Sequence, residues 1–282
     1  MTNIGIISND DIDKVGHSLF LNFRKALKNT LNCELRNVTD MIDLVGLKYL
    51  IIVDEHYDPN VKVWKNDLFI NELNIRKIQT IVFNFERIYN SSFPWNVDHQ
   101  KFLERIQNLT QFVSDIDDAK LMGKTVINKQ FLSKDTDLSV NNIAKQNKIV
   151  FIGQLNGYYP TRKKVIDEAS KFLNLEVIVT DRKLSYRDFL IKLNNYRYVF
   201  NPLGTGKFIN LRFYEALKLS CIPIQEIRED MRSWYPELEN CIDFTSVSDI
   251  TEEKFVNFHH NPKNYYLEDY FNDIKLLNYF NG

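Results

Sequence analysis

The feature that most constrains this chain is a repeated alternation of short apolar runs with helical stretches. Residues 4–8, 33–38, 49–53, 79–84 and 111–113 read as strands. Residues 17–31 carry Leu19, Phe20, Phe23, Ala26 and Leu27 at helical spacing, and residues 64–73 and 102–109 read as further helices. The pattern then restarts. Residues 149–152 form a strand, 153–160 a loop and 161–173 a helix with Thr161 as its N-cap. A strand at 175–179, a helix at 186–193, a strand at 198–200 and a last strand around Asp243 follow. Alternation of this kind predicts parallel, doubly wound α/β sheets, because each crossover helix must cover a sheet face. A polar stretch, 133–148, has linker composition and separates two halves. We therefore expect a Rossmann-like first domain over 1–135, a second over 148–264, and a helix in 265–282 that crosses back to the first. That tail carries Tyr266, Tyr270, Ile274 and Leu277 at helical spacing.

The second half holds the richest local motif. After the apolar Tyr198-Val199-Phe200 comes Asn201-Pro202-Leu203-Gly204-Thr205-Gly206-Lys207, and then Phe208-Ile209-Asn210-Leu211-Arg212-Phe213-Tyr214-Glu215. A strand, a Gly-x-Gly loop and a helix start make a seat for a diphosphate, since free backbone N–H groups and the helix dipole both favour anions. Arg212 adds a fixed cation. Glu215, one helical turn on, can accept hydrogen bonds from a ribose. Of nine glycines, Gly153, Gly157, Gly204 and Gly206 fall in two loops of this half, which suggests close backbone approach to a ligand. The plainer readings are two ordinary turns and an Arg212–Glu215 surface ion pair worth a few tenths of a kcal/mol.

Composition excludes more than it selects. At 44% hydrophobic and 26% charged, the chain is an ordinary globular sequence. A net charge of −1 announces no nucleic acid through bulk charge. Cys33, Cys221 and Cys241 have no metal-ligand spacing and read as reduced packing residues. No apolar run approaches the roughly 18 residues of a membrane span, and the first strand starts almost at residue 1, so a cytoplasmic protein without a signal peptide is expected.

Three segments resemble the DNA β-glucosyltransferases of T-even-like phages, which move glucose from UDP-glucose onto 5-hydroxymethylcytosine. Residues 208–215 resemble the family's Phe-Ile-x-Leu-Arg-x-aromatic-Glu segment, in which the Arg contacts the diphosphate and the Glu the ribose. Residues 153–162 resemble a Gly-to-Arg loop whose Arg also grips the diphosphate; the loop is two residues longer here. Residues 83–96 resemble the segment that carries the family's catalytic Asp, with Glu86 in that place. The three motifs cover about a sixth of the chain, and the family's members are longer. The Arg-x-x-Glu-Ala pattern is shared with exostosin-like and fucosyltransferase-like enzymes. His17 stands where the family has an acidic residue facing the sugar.

The resemblance implies a GT-B glycosyltransferase, two Rossmann-like domains with their sheets facing a central cleft. The donor is a UDP-sugar, held by Arg162, Gly204, Gly206, Arg212 and Glu215. Glu86 is the general base of an inverting transfer, and double-stranded DNA is the acceptor. Asp10, His17 and Trp95 are candidate sugar or acceptor contacts. No metal site built from protein ligands is expected, although a divalent cation could accompany the diphosphate. Asp115-Ile116-Asp117-Asp118 matches the Asp-x-Asp metal pattern, but it precedes a helix and reads more simply as a cap at Asp117 or Asp118. A surface glycan or a protein stays open as acceptor, as does a nucleotide-binding protein without chemistry. Oligomeric state is left open.

Overall fold

In a computed structural model the described residues are 3–8, 18–54, 65–85, 87–89, 94–125, 127–136, 143–155, 160–180, 184–204, 206–259, 261 and 263–280. They form two five-stranded sheets, both wholly parallel. The first contains β1 (Ile4–Ile7), β2 (Arg36–Asn37), β3 (Tyr49–Asp54), β4 (Gln79–Asn84) and β5 (Leu109–Val113), in the order β2-β1-β3-β4-β5. The second contains β6 (Gln146–Gly153), β7 (Leu175–Val179), β8 (Tyr196–Asn201), β9 (Ile222–Glu226) and β10 (Ile242–Phe244), in the order β10-β9-β8-β6-β7. Counted from its own first strand, each sheet has the same 2-1-3-4-5 order. The expected fold class is therefore what the chain adopts.

That shared order has a functional consequence. In each sheet the chain leaves the first strand, crosses to one side, then returns to build outward on the other. Ligands of open parallel sheets bind beyond the carboxyl ends of the strands at that reversal. In the second sheet it lies between β6 and β8, which pair through Ile149 with Tyr198 and Val150 with Val199.

Alternate strand residues serve different faces. Leu50, Ile52 and Val82 pack on one side of the first sheet with Phe69, Ile70 and Leu73 of α2 (Asp67–Ile75). Ile149, Phe151, Tyr198 and Phe200 pack on one side of the second with Ile166 and Ala169 of α5 (Pro160–Phe172). The remaining faces of both sheets share one continuous core. It takes Ile51, Val53, Ile81 and Phe83 from the first sheet and Val150, Ile152 and Val199 from the second. Phe20, Phe23, Ala26 and Leu27 of α1 (Ser18–Leu31) enter it as their spacing predicts. Phe271 of α9 (Leu267–Asp273) stands edge-on to Phe23, with ring centroids 5.5 Å apart.

Several element boundaries differ from expectation. Residues 265–280 form the short α9 and a 3₁₀ turn at Leu276–Phe280 rather than one helix. Helix α5 begins at Pro160, so Thr161 is inside the first turn and not its cap; proline at the first helical position already has the required φ and no N–H to satisfy. The helix read over 102–109 starts earlier and ends earlier, as α3 (Pro94–Leu103). The polar 133–148 stretch is not linker throughout, because Ser133 is buried and its hydroxyl donates to Glu268 (2.6 Å). All three cysteines are free, and Cys221 and Cys241 are buried. Among the described residues no helix is long and apolar enough to cross a membrane.

Candidate functional site

The carboxyl ends of β6, β8 and β9 bring together residues from both glycine motifs. Gly153 closes β6, and Arg212 occupies the first turn of α7 (Leu211–Lys218). The Arg212 guanidinium lies over the Phe151 ring, 5.0 Å from its centroid, and its Nη1 reaches Asn201 Oδ1 at 3.4 Å. A Cβ on Gly153 would fall on that guanidinium. The glycine is thus explained by close approach, as expected, but the approaching group is an arginine of the same chain. Asn201 is itself fixed by Gln225 (2.6 Å).

Arg162, in the first turn of α5, is buried and lies in the field of Glu226. Glu226 ends β9, 2% exposed. It accepts the Leu203 N–H (2.9 Å) and pairs with Arg228 (3.0 Å). Burial raises its carboxyl above the ordinary range, while the Leu203 amide, Arg228 and Arg162 pull it back. Sequence reasoning missed Glu226. The signal was present, since a buried strand ending in Gln225-Glu226 delivers polar groups to the functional edge of the sheet.

Glu215 is 3% exposed. Its pKa rises from 4.5 to about 7, chiefly through burial, with the Tyr186 hydroxyl and then Arg212 opposing. The Arg212 and Glu215 pair is therefore no solvated surface pair.

The Gly-x-Gly loop has an unforeseen neighbour. Gly204 is partly exposed, but Gly206 is buried against the first half of the chain. A Cβ there would lie 2.5 Å from Asp115 Oδ2 and 2.7 Å from the Phe208 ring. The Lys207 N–H donates to Asp115 (2.6 Å), the Ile116 N–H donates to the Lys207 carbonyl (3.4 Å), and Lys207 Nζ reaches Asp117 (2.9 Å). The carboxyl-end loop of β8 thus docks on that of β5, so the carboxyl edges of the two sheets meet.

Asp115 is also the N-cap of α4 (Ile116–Leu121), accepting from the Asp117 and Asp118 amides. The cap is two residues before Asp117 and three before Asp118, the positions the sequence suggested. Asp117 pairs with Arg87 (3.3 Å) and Lys207. Asp118 accepts the Ile88 (2.6 Å) and Tyr89 (3.0 Å) amides. Burial, reinforced by Asp115, lifts Asp118 from 3.8 to about 7 against the Ile88 amide, the Tyr89 amide and Arg87. All three carboxylates of the Asp-x-Asp match have structural partners. Among the described residues no group of three or more His, Cys, Asp or Glu could hold a metal.

Asp10, His17 and Glu86 lie outside the described residues. Trp95 falls in α3, and its side chain is likewise outside. The described neighbours of Glu86 are well anchored: Ile88 and Tyr89 by Asp118, and the Phe85 carbonyl by Gln130 Nε2 (3.3 Å). Asn84, the last residue of β4, is buried and hydrogen-bonded to His99 (2.9 Å).

No family model matches the chain, and no curated protein matches it. Among solved structures, an α1,3-fucosyltransferase aligns over 98% of this chain and 88% of its own at 10% identity, with a TM-score of 0.48. An α1,3-fucosyltransferase with GDP-fucose aligns over 82% and 88% at 10% identity, with a TM-score of 0.34. Likeness this distant fixes no reaction.

Proposed function

We propose that this protein is a glycosyltransferase of GT-B organisation that uses a nucleoside-diphosphate sugar, with uridine as the nucleoside. The observation that carries the reading is the reversal point of the second sheet, flanked by Arg162 from α5 and Arg212 from α7 with buried Glu215 and Glu226 behind them. Two guanidiniums on rigid helices suit a diphosphate, whose charge grows as the sugar departs. Ionised Glu215 accepts from ribose hydroxyls, and Gly204 lets the loop backbone come close. The first sheet, whose carboxyl edge meets the second at Asp115 and Lys207, carries the acceptor. Glu86, after β4, removes the proton of the attacking hydroxyl, and the sugar inverts. Asp10, His17 and Trp95 belong to the acceptor side. A divalent cation would ride with the diphosphate rather than sit on a protein cluster.

For the acceptor we favour hydroxymethylated pyrimidine in DNA, on the strength of the 83–96 and 208–215 segments. A glycan or protein acceptor is the second reading, favoured by the net charge of −1, which offers a phosphate backbone little bulk attraction.

The test is mass spectrometry of nucleosides from hydroxymethylcytosine-containing DNA after incubation with the protein and a panel of UDP- and GDP-sugars. A mass gain on the modified base is the expected result and names the sugar. Release of UDP or GDP without that gain keeps the transferase and overturns the DNA acceptor. Nucleotide binding with no release from any donor overturns the enzyme reading.

A further inference from the structure

In the segment 127–134, which forms no strand beyond a single bridge from Leu132 to Tyr266, neighbouring polar side chains turn to different halves of the chain. Lys129 turns to the second half, reaching Glu237 (3.0 Å) and the Trp234 carbonyl (2.7 Å). Asn128 turns to the first, donating to the Asn84 carbonyl (3.2 Å). Gln130, 5% exposed, does both. Its Nε2 donates to the Phe85 carbonyl (3.3 Å), and its Oε1 accepts the Leu211 N–H (3.0 Å).

The orientation of this amide is forced by its partners. A backbone carbonyl only accepts and a backbone N–H only donates, so one planar amide bridges them in one sense alone. Leu211 opens α7, whose first-turn amides need partners from outside the helix. The N-cap residue Asn210 makes no side-chain cap bond, and Gln130 supplies one from a distant part of the chain. One end of this strut is the residue before Arg212. The other is the residue before Glu86.

We propose that Gln130 is a positioning residue that sets the segment carrying the base against the helix carrying the diphosphate-binding arginine. Its catalytic meaning rests on the transferase reading above; its mechanical role does not. In this role Gln130 touches neither donor nor acceptor. It keeps the spacing between two groups that must act on opposite sides of one anomeric carbon, where a misplacement of about 1 Å can cost 10²-fold in rate. The Ile88 and Tyr89 amides, bonded to Asp118, report on one end of the strut, and the Leu211 amide on the other.

The test is amide hydrogen exchange on the full chain for wild type, Gln130→Glu and Gln130→Leu, each alone and with millimolar UDP or GDP. Ionised glutamate keeps an acceptor for Leu211 and has no proton for the Phe85 carbonyl, so Gln130→Glu is read at a pH above the titration of its buried carboxyl. Gln130→Glu is expected to leave Leu211 protected while Ile88 and Tyr89 exchange about tenfold faster, the factor of one lost hydrogen bond. Gln130→Leu is expected to speed all three. Added nucleotide is expected to slow Ile88 and Tyr89 in wild type and not in Gln130→Leu. Unchanged Ile88 and Tyr89 exchange in both variants overturns the proposal, as does equal slowing by nucleotide in wild type and Gln130→Leu. If neither UDP nor GDP binds, the donor reading falls, and the ligand-free comparison still decides the strut. If Gln130→Leu does not fold, Gln130→Glu decides alone.

Discussion

Gly153 and Arg212 are matched to each other: the missing side chain at the end of β6 is what admits the guanidinium from α7. The two residues belong to separate motifs, one in each βα unit that flanks the reversal point of the second sheet. Their contact holds the cation over Phe151 and against Asn201, instead of letting it extend into solvent. A preplaced arginine loses less entropy on binding an anion than a free one.

Gly153→Ala therefore tests the seat without touching the charge. The new methyl must displace Arg212, because the β6 backbone at Gly153 is held by its pairing to Val179 of β7 and by the Thr180 N–H. Overpacking of this kind costs about 1–3 kcal/mol. We expect UDP affinity to fall about tenfold or more, with a lower melting temperature, measured by calorimetric titration and thermal scans. Unchanged affinity would mean that Arg212 does not need its present position to bind the diphosphate.

Asp115 joins the halves and caps α4 at once, so two substitutions separate the roles. Asn is as good an N-cap as Asp, but its single oxygen then serves the Asp117 and Asp118 amides, and its NH2 stands where the second Asp115 oxygen accepts the Lys207 amide. Asp115→Asn is expected to lose about 1–3 kcal/mol in urea denaturation, since the part-buried Lys207 amide loses its acceptor, and Asp115→Ala about 1 kcal/mol more, since it loses the cap as well. Equal losses in the two variants would locate the whole effect in the Lys207 contact.

Much of the scaffold was legible because it rests on local rules. Phe20, Phe23, Ala26 and Leu27 declare their helix by spacing alone, and strands at 49–53 and 79–84 declare themselves by apolar runs. The strand, loop and helix order that carries Arg212 was legible as well, since an apolar run, glycines and a helical stretch follow one another closely. What stayed hidden is long-range. Gln130 bonds partners 45 and 81 positions away, and nothing near it in sequence marks a polar group between two sheets. Gly206 looked like a phosphate glycine because its partner Asp115 lies 91 positions earlier. Asp118 looked like a helix cap because its amide partners sit in another loop. Such roles depend on how two sheets meet, and local pattern does not encode that.

Glu215 gives a pH signature with a defined sign. Its folded pKa of about 7 is above its ordinary 4.5, so the folded state holds the proton more tightly than the unfolded one. Its contribution is fully present below 4.5 and is lost as pH rises through 7, by about 3 kcal/mol at most. Asp118, raised from 3.8 to about 7, adds loss in the same window. Glu215→Gln should flatten the fall in stability between pH 4.5 and 7, leaving the share of Asp118. Nucleotide binding should run the opposite way, because ribose hydroxyls donate to the ionised carboxylate. Wild-type affinity for UDP is expected to rise relative to Glu215→Gln as pH goes from 6 to 8. Parallel pH profiles for the two proteins would remove Glu215 from the ribose site.

Glu86 carries the sharpest prediction about chemistry. A general base contributes about 10²–10⁴-fold to rate, whereas the proposed donor seat uses Arg162, Arg212 and Glu215 on other elements. Glu86→Gln keeps size and hydrogen-bonding capacity and removes only the ability to take a proton. Transfer should therefore fall by about 10²-fold or more while UDP affinity, by titration, stays within about twofold. Because Ile88 and Tyr89 are anchored by Asp118 and Phe85 by Gln130, the substitution has little leverage on the surrounding backbone. Wild-type turnover in Glu86→Gln would exclude it as the base and turn the search to the other polar residues following the first sheet's strands, Asp10 and His17 first.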